Sequence, residues 1–187
     1  MLSELRLASA TPTASAVLGC AVLAAAPVGA ADVQRSGFTG GIASGIGVMG
    51  GSGLTAEYRL GWALSQQSTL LLRFNATYAF LSPPDQHPTE SLYRIYLNDR
   101  EIYSVSYQYW IAQRWWTRAG VGLARPNASN GSELFEEKLS WAVPLGIGLD
   151  VATWRWGAVD LGLSLDTWRW RGLQVVDGGF VCGFSVY

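Results

Sequence analysis

Few residues of the sequence combine a reactive side chain with neighbours that could support catalysis. Ser129 is a candidate nucleophile, in the stretch Asn127-Ala128-Ser129-Asn130, but a serine needs a neighbouring base to take its proton. The amide of the nearby Asn127 cannot accept that proton near neutral pH. The single histidine, His87, lies in a proline-rich stretch typical of a solvated loop. We therefore predict no catalytic residue and no bound cofactor.

The potential metal ligands are also sparse. One histidine and two cysteines do not make a common zinc site or a disulfide framework. Glu133, Glu136 and Glu137 form a small acidic group, which could attract divalent cations but is more typical of a solvated loop. We predict no metal site.

The composition limits the class of protein. The chain has 187 residues, of which 49% are apolar and only 14% are charged, whereas charged residues make up about 25% of an ordinary soluble domain. Lys138 is the only lysine among 13 basic residues. The sequence therefore lacks the basic stripe that holds nucleic acid, and we predict no nucleic-acid partner.

The N-terminus has the pattern of an export signal. A run of small apolar residues covers about 14–28 and ends in small residues that fit a secretory cleavage site. The run is shorter than the roughly 20 residues that a membrane-spanning helix needs. We predict a signal peptide at 1–31 and one mature domain at 32–187, and a lipidated Cys20 is the alternative.

Most of the mature chain alternates between apolar and polar or small residues. In the segment 54–64 every second residue is apolar, which is the pattern of a strand with one apolar face. The same period of two appears at 38–48, 70–80, 101–111, 115–123, 139–151, 158–166 and 175–187. These segments predict eight strands. The segment Leu92–Leu97 either extends the fourth strand or adds a small hairpin, which would raise the number to ten.

The connections between the strands alternate in length. Short links lie near Gln66, Gln113 and Thr153. Longer polar links cover 82–100, 125–138 and 166–172. Short turns at one end and long loops at the other are typical of an all-β, up-and-down antiparallel transmembrane barrel with periplasmic turns and extracellular loops. The expected location is the outer membrane of a Gram-negative bacterium.

The second face of each strand indicates which way the apolar face points. It carries many glycines, and the mid-strand charges fall on it rather than on the apolar face, where they would meet lipid at a cost of about 2–4 kcal/mol. We predict that these charges form a polar network in the lumen of the barrel: Glu57, Arg59, Arg73, Arg118, Asp150, Asp160 and Asp166. The alternative is a secreted lipocalin-like or avidin-like barrel with an apolar interior that binds a hydrophobic ligand.

Tryptophans gather beside the short turns. Aromatic side chains at that level are typical of a girdle in the headgroup region of a bilayer. The predicted girdle consists of Trp62, Trp110, Trp115, Trp116, Trp154 and Trp156.

The export signal, the eight alternating strands, the turn-side tryptophans and the terminal Tyr187 together resemble the small outer-membrane barrels of the OmpA/OmpX type. The resemblance implies a non-enzymatic structural or surface-interaction protein with a filled lumen and no wide pore. It also implies a bilayer and lipopolysaccharide as partners, and recognition of the C-terminal strand by the outer-membrane assembly machinery. Tyr187 is one position out of phase with Phe184 and Val186, so either a bulge intervenes or the terminal signal is degenerate.

A second resemblance concerns a less favoured activity. The stretch 127–130 is similar to the His-x-Ser-Asn signature of outer-membrane lipid A deacylases, in which the histidine acts as the base. Asn127 replaces that histidine here. A lipid A-modifying enzyme therefore remains the third alternative.

Overall fold

The computed structural model describes residues 33–48, 52–79, 96–129, 134–136, 138–170 and 173–187. Nearly all of them belong to antiparallel β-strands. The strands are β1 (Gly37–Val48), β2 (Ser52–Ser65), β3 (Ser68–Ala79), β4 (Tyr96–Trp110), β5 (Trp115–Ser129), β6 (Leu134–Glu136), β7 (Ser140–Trp154), β8 (Gly157–Trp170) and β9 (Leu173–Val186).

Eight of these strands close into a barrel. The sheet order is β4-β3-β2-β1-β9-β8-β7-β5, and β4 also pairs with β5, so each barrel strand has two neighbours. The first and last strands meet in register from Gly40 opposite Val186 to Val48 opposite Gly178. The predicted eight-stranded antiparallel barrel is confirmed. Within the described residues there is no helix of the length and apolarity needed to cross a membrane.

The short β6 is the one strand that the sequence pattern did not predict. It pairs with the end of β5, from Asn127 opposite Glu136 to Ser129 opposite Leu134, on the edge of β5 that pairs with β7 nearer the turn end. Strand β4 begins at Tyr96, so the part of Leu92–Leu97 that the structure describes extends the fourth strand.

The two ends of the barrel differ. We call the end that carries the start of β1, the end of β9 and the connections at 66–67, 111–114 and 155–156 the turn end, and the opposite end the loop end. Several strands extend further toward the loop end than predicted, because β4, β5 and β8 include residues that were expected in loops. In these extensions Arg100 of β4, Pro126 of β5 and Trp168 of β8 are buried on the inner side.

Alternation in the strands separates an apolar exterior from a polar interior. In β2, Tyr58 and Leu60 are more than half exposed, whereas Glu57 and Arg59 are buried. The same division holds in β7, where Leu145 and Ile147 point outward and Asp150 is fully buried. An apolar interior, as in a soluble ligand-binding barrel, was the alternative prediction and is wrong for this chain.

Glycines on the inner side allow neighbouring strands to pair closely and leave room for the side chains that fill the lumen. A Cβ on Gly45 would collide with the carbonyl oxygen of Phe180 in the adjacent β9. A Cβ on Gly183 would lie 2.6 Å from Nη2 of Arg59. The first glycine therefore permits close approach of β1 and β9, and the second leaves room for a buried guanidinium.

Candidate functional site

The centre of the lumen holds one glutamate among three arginines. Arg118 donates from Nη1 to Oε1 of Glu57 at 2.9 Å, and Arg73 contacts Oε2 of the same carboxylate. Arg59 Nε lies 3.5 Å from Oε1. All four residues are at most 4% exposed. Because an unpaired charge is expensive to bury, Glu57 is the group that makes this concentration of guanidinium groups tolerable.

Like charges face each other along the wall and are balanced across the lumen. Arg59 is directly opposite Arg73 in the β2–β3 ladder, and Asp150 is directly opposite Asp160 in the β7–β8 ladder. Such pairs repel when they stand alone. Arg59 reaches across and donates to both oxygens of Asp160 at 3.0 and 3.3 Å. Arg59 therefore neutralises Asp160, whereas Arg73 pairs with Glu57 and Asp150 pairs with Arg35.

A second cluster lies nearer the loop end. Arg100 Nη1 is 3.0 Å from Oδ2 of Asp166, and its Nε is 2.8 Å from Oδ2 of Asp177. Trp168 donates from Nε1 to Asp177 at 2.9 Å, and Arg100 donates to the hydroxyl of Thr77 at 3.1 Å. This cluster joins β3, β4, β8 and β9 above the central one.

A third cluster closes the lumen at the turn end. Arg35, which precedes β1, donates from Nη2 to Asp150 at 2.9 Å. Trp110 donates to the same carboxylate at 3.1 Å, and the Arg35 guanidinium lies 4.1 Å from the centre of the Trp110 ring. Tyr187 packs edge-on against Trp110 at 5.7 Å. The chain therefore fills the lumen there with residues from its beginning, middle and end.

The predicted lumen residues all lie inside the barrel. Each of them is at most 4% exposed and takes part in an ion pair: Glu57, Arg59, Arg73, Arg118, Asp150, Asp160 and Asp166. The sequence analysis missed three further members, Arg35, Arg100 and Asp177. Phase could have identified two of them, because Asp177 is in step with the inward Gly179 and Arg100 is in step with the inward Ser104. Arg35 precedes β1, so strand alternation gave no signal for it.

The predicted tryptophan girdle is wrong for Trp110 and Trp116. Their side chains are only 2% and 1% exposed, and they pack inside the lumen. The physical reason is phase: Trp110 follows the inward Gln108 by two residues, and Trp116 precedes the inward Arg118 by two. Closeness to a turn does not override this alternation.

The other four tryptophans of the predicted girdle lie at the outer surface. Trp62, Trp115 and Trp156 are more than half exposed near the turn end. Trp154 is partly buried, stacks on Phe184 at 5.4 Å and meets Trp156 edge-on at 5.5 Å. These side chains form an outward aromatic group around the turn end.

Tyr187 belongs to the interior rather than to the outer face. The ladders of β9 run without a bulge from Gly178 to Val186 on both sides, so of the two alternatives the bulge is wrong for this stretch. The ring of Tyr187 instead contacts Trp110 and lies 5.2 Å from the Arg35 guanidinium. Burial, together with the nearby carboxylates of Asp150 and Asp160, raises the pKa of this phenol, which follows the last strand.

Only some of the candidate chemical residues of the loops belong to the part of the chain that the structure describes. Asn127 and Ser129 are at the loop end of β5, where they pair with β6. His87, Glu133 and Glu137 lie outside the described residues. The predictions for these positions stay predictions.

Two cavities lie in the turn-end half of the barrel. A small one of about 10 Å³ touches Arg59, Gln108 and Tyr187, which is about the volume that a single water needs. A larger one of about 850 Å³ lies at the turn end, below the Arg35 cluster, and is lined by the chain before β1 and by three turns.

Comparisons with known proteins connect this fold to solved structures. No known family and no curated protein sequence matches the chain. The structure is similar to that of Neisserial surface protein A, with a TM-score of 0.61 and 13% identity over 80% of this chain and 95% of that one. It is also similar to the N-terminal β-barrel domain of Pseudomonas aeruginosa OprF, with a TM-score of 0.51 and 14% identity over 81% and 99% of the two chains. The chain therefore has the fold of the small eight-stranded outer-membrane β-barrel proteins.

Proposed function

We propose that this protein is a non-enzymatic integral outer-membrane protein of a Gram-negative bacterium, exported by its N-terminal segment and acting at the cell surface through its loop end. The observation that carries the proposal is the exposed apolar exterior of a closed barrel whose interior holds buried ion pairs. The small outer-membrane barrels with the same fold support the location.

The dimensions of the wall fit a bilayer. A tilted transmembrane strand needs about 9–11 residues, and the eight barrel strands have 12 to 15. The strands are therefore long enough to cross the hydrocarbon and to extend beyond it. The extra length lies at the loop end of β4 and β5, where a surface partner would make contact.

The exterior fits hydrocarbon better than water. Large apolar side chains are exposed on all eight barrel strands or at their ends, among them Phe38, Leu60, Leu72, Val105, Val121, Ile147, Leu163 and Phe180. Soluble monomers rarely expose continuous apolar patches above a few hundred Å². A bilayer, with lipopolysaccharide in its outer leaflet, is the partner that covers such a belt on every side.

The packed interior favours a structural role over transport or catalysis. Ion pairs at three levels fill the lumen, and an eight-stranded barrel is just wide enough for its own side chains. Asn127 stands where a base for Ser129 would be needed. We assign the activity to surface contact or envelope integrity, and recognition during assembly to the outward residues of β9.

Cell fractionation and gel mobility test this proposal. The full-length chain is expressed in a Gram-negative host, and the expected product fractionates with the outer membrane and migrates differently before and after boiling. Recovery in the soluble periplasm without detergent would contradict the membrane location. The proposal that the protein is not an enzyme is tested with Ser129→Ala. Lipid A from cells that express this variant is expected to be the same as lipid A from cells that express the unsubstituted protein. Loss of a lipid A modification in the variant would contradict the proposal.

A further inference from the structure

We propose that the turn-end cavity binds a small organic molecule that carries at least two oxyanion groups, either carboxylates or phosphates. The cavity is the space of about 850 Å³ below the Arg35 cluster. Small-molecule sites commonly have about 300–1,000 Å³. The proposed binding does not depend on which compartment the turn end faces.

The charge of the cavity is of one sign. Arg35, Arg114 and Arg155 line it, and among the described residues its lining contains no aspartate or glutamate. Asp150 neutralises Arg35. The side chains of Arg114 and Arg155 form no ion pair with any residue that the structure describes. Unpaired charges of one sign in a concave site raise the local concentration of the opposite ion, so the cavity favours anions.

The two unpaired arginines are carried on turns that are held in place. The backbone NH of Asp150 donates to the carbonyl of Arg114 at 2.8 Å, and the NH of Gln34 donates to the carbonyl of Arg155 at 3.1 Å. The guanidinium groups therefore project from fixed backbone positions on two different turns. A guanidinium binds a carboxylate or a phosphate through two parallel hydrogen bonds. Two such groups on separate turns match a ligand with two oxyanions.

One wall of the cavity is formed by a buried, hydrogen-bonded polar side chain. Arg35 is only 6% exposed and donates to the backbone carbonyls of Gln66 and Gln113 at 3.4 and 3.1 Å. Its Nε is buried without a hydrogen-bond partner among the described residues. Trp110 also lines the cavity beside it. A rigid aromatic and cationic surface is preorganised, which reduces the entropy cost of binding.

Calorimetry on the protein purified in zwitterionic detergent tests the proposal. Citrate and pyrophosphate are titrated at constant ionic strength, with acetate as the probe that has one oxyanion. We expect saturable one-to-one binding of citrate, pyrophosphate or both, and weaker binding of acetate. Arg114→Gln and Arg155→Gln should each weaken binding about tenfold, the loss of one charged hydrogen-bonding group. Arg169→Gln, an exposed arginine at the loop end, is the matched control and should change nothing.

The outcomes separate the alternatives. Binding of citrate alone supports a carboxylate ligand, and binding of pyrophosphate alone supports a phosphate ligand. Gel mobility before and after boiling verifies folding, and Arg114→Lys, which keeps the charge but not the fork, should bind with intermediate affinity. The proposal is overturned by the absence of saturable binding for both probes, by acetate binding as tightly as citrate, or by Arg169→Gln weakening binding as much as Arg114→Gln.

Discussion

Arg35 and Asp150 form an ion pair of 2.9 Å between positions that are 115 residues apart in the sequence. The pair ties the segment before the first strand to the end of β7, and it does so inside the lumen, where Trp110 donates to the same carboxylate. The closure of the turn end therefore depends on a residue outside the strands.

Removing one member of this pair should destabilise the barrel more than removing both. In Arg35→Met the Asp150 carboxylate stays buried without its cation, and losing one partner of a buried ion pair costs about 3–5 kcal/mol. The double variant Arg35→Met/Asp150→Asn removes both charges of the pair and should recover much of that loss. Urea unfolding of the protein in detergent micelles measures both. Equal destabilisation by the single and the double variant would show that the pair does not set the stability of this end.

Substitutions at different residues of the central cluster should lower the free energy of unfolding by different amounts. Glu57→Gln leaves three arginines without their shared carboxylate, and we expect a loss of about 3–5 kcal/mol of unfolding free energy. Arg73→Met should cost less, because Glu57 keeps Arg59 and Arg118. The midpoints of urea unfolding compare the two variants. A larger loss for Arg73→Met than for Glu57→Gln would contradict the central role of Glu57.

The close pairing of β1 and β9 should require a glycine at position 45. In Gly45→Ala the new Cβ would collide with the backbone of Phe180, and this strain should cost about 1–3 kcal/mol. Gly178→Ala is the matched control, since its Cβ would have only an ordinary contact of 3.7 Å with the carbonyl oxygen of Ser164. The folded fraction on an unboiled gel reports on closure. Equal folding of the two variants would mean that the β1–β9 approach tolerates a side chain.

The fold could be predicted from the sequence because the alternation of apolar and polar residues corresponds directly to the outer and inner faces of the barrel wall. Each strand has one apolar and one polar face, and this pattern identified all eight barrel strands and the inward direction of Glu57 and Asp160. It could not assign partners, because Arg59 and Asp160 are 101 residues apart and meet only across the lumen. It also missed Arg100, since beyond the apolar belt the strand continues with polar residues that look like a loop.

Arginine substitutions on the two surfaces should have different effects on membrane insertion. Leu145 is an outward residue in the middle of β7, and Leu145→Arg places a charge where we propose hydrocarbon, at a cost of about 2–4 kcal/mol. Gln67→Arg places the same side chain in an exposed turn and should be neutral. The yield of folded protein in the outer-membrane fraction compares the two. If both variants insert equally well, the proposed lipid-facing surface is wrong.

The tryptophans provide a spectroscopic test of which side of the wall meets lipid. Brominated lipids quench a tryptophan that touches their acyl chains, so in liposomes the exposed Trp62 should contribute to the quenched fluorescence, whereas the buried Trp116 should not. Trp62→Phe should therefore reduce the quenchable fraction. Trp116→Phe should instead raise it, because the variant removes emission that lipid cannot reach. The opposite pair of results would mean that lipid contacts the face on which Trp116 and Arg118 lie, and the outward apolar belt would then need another partner.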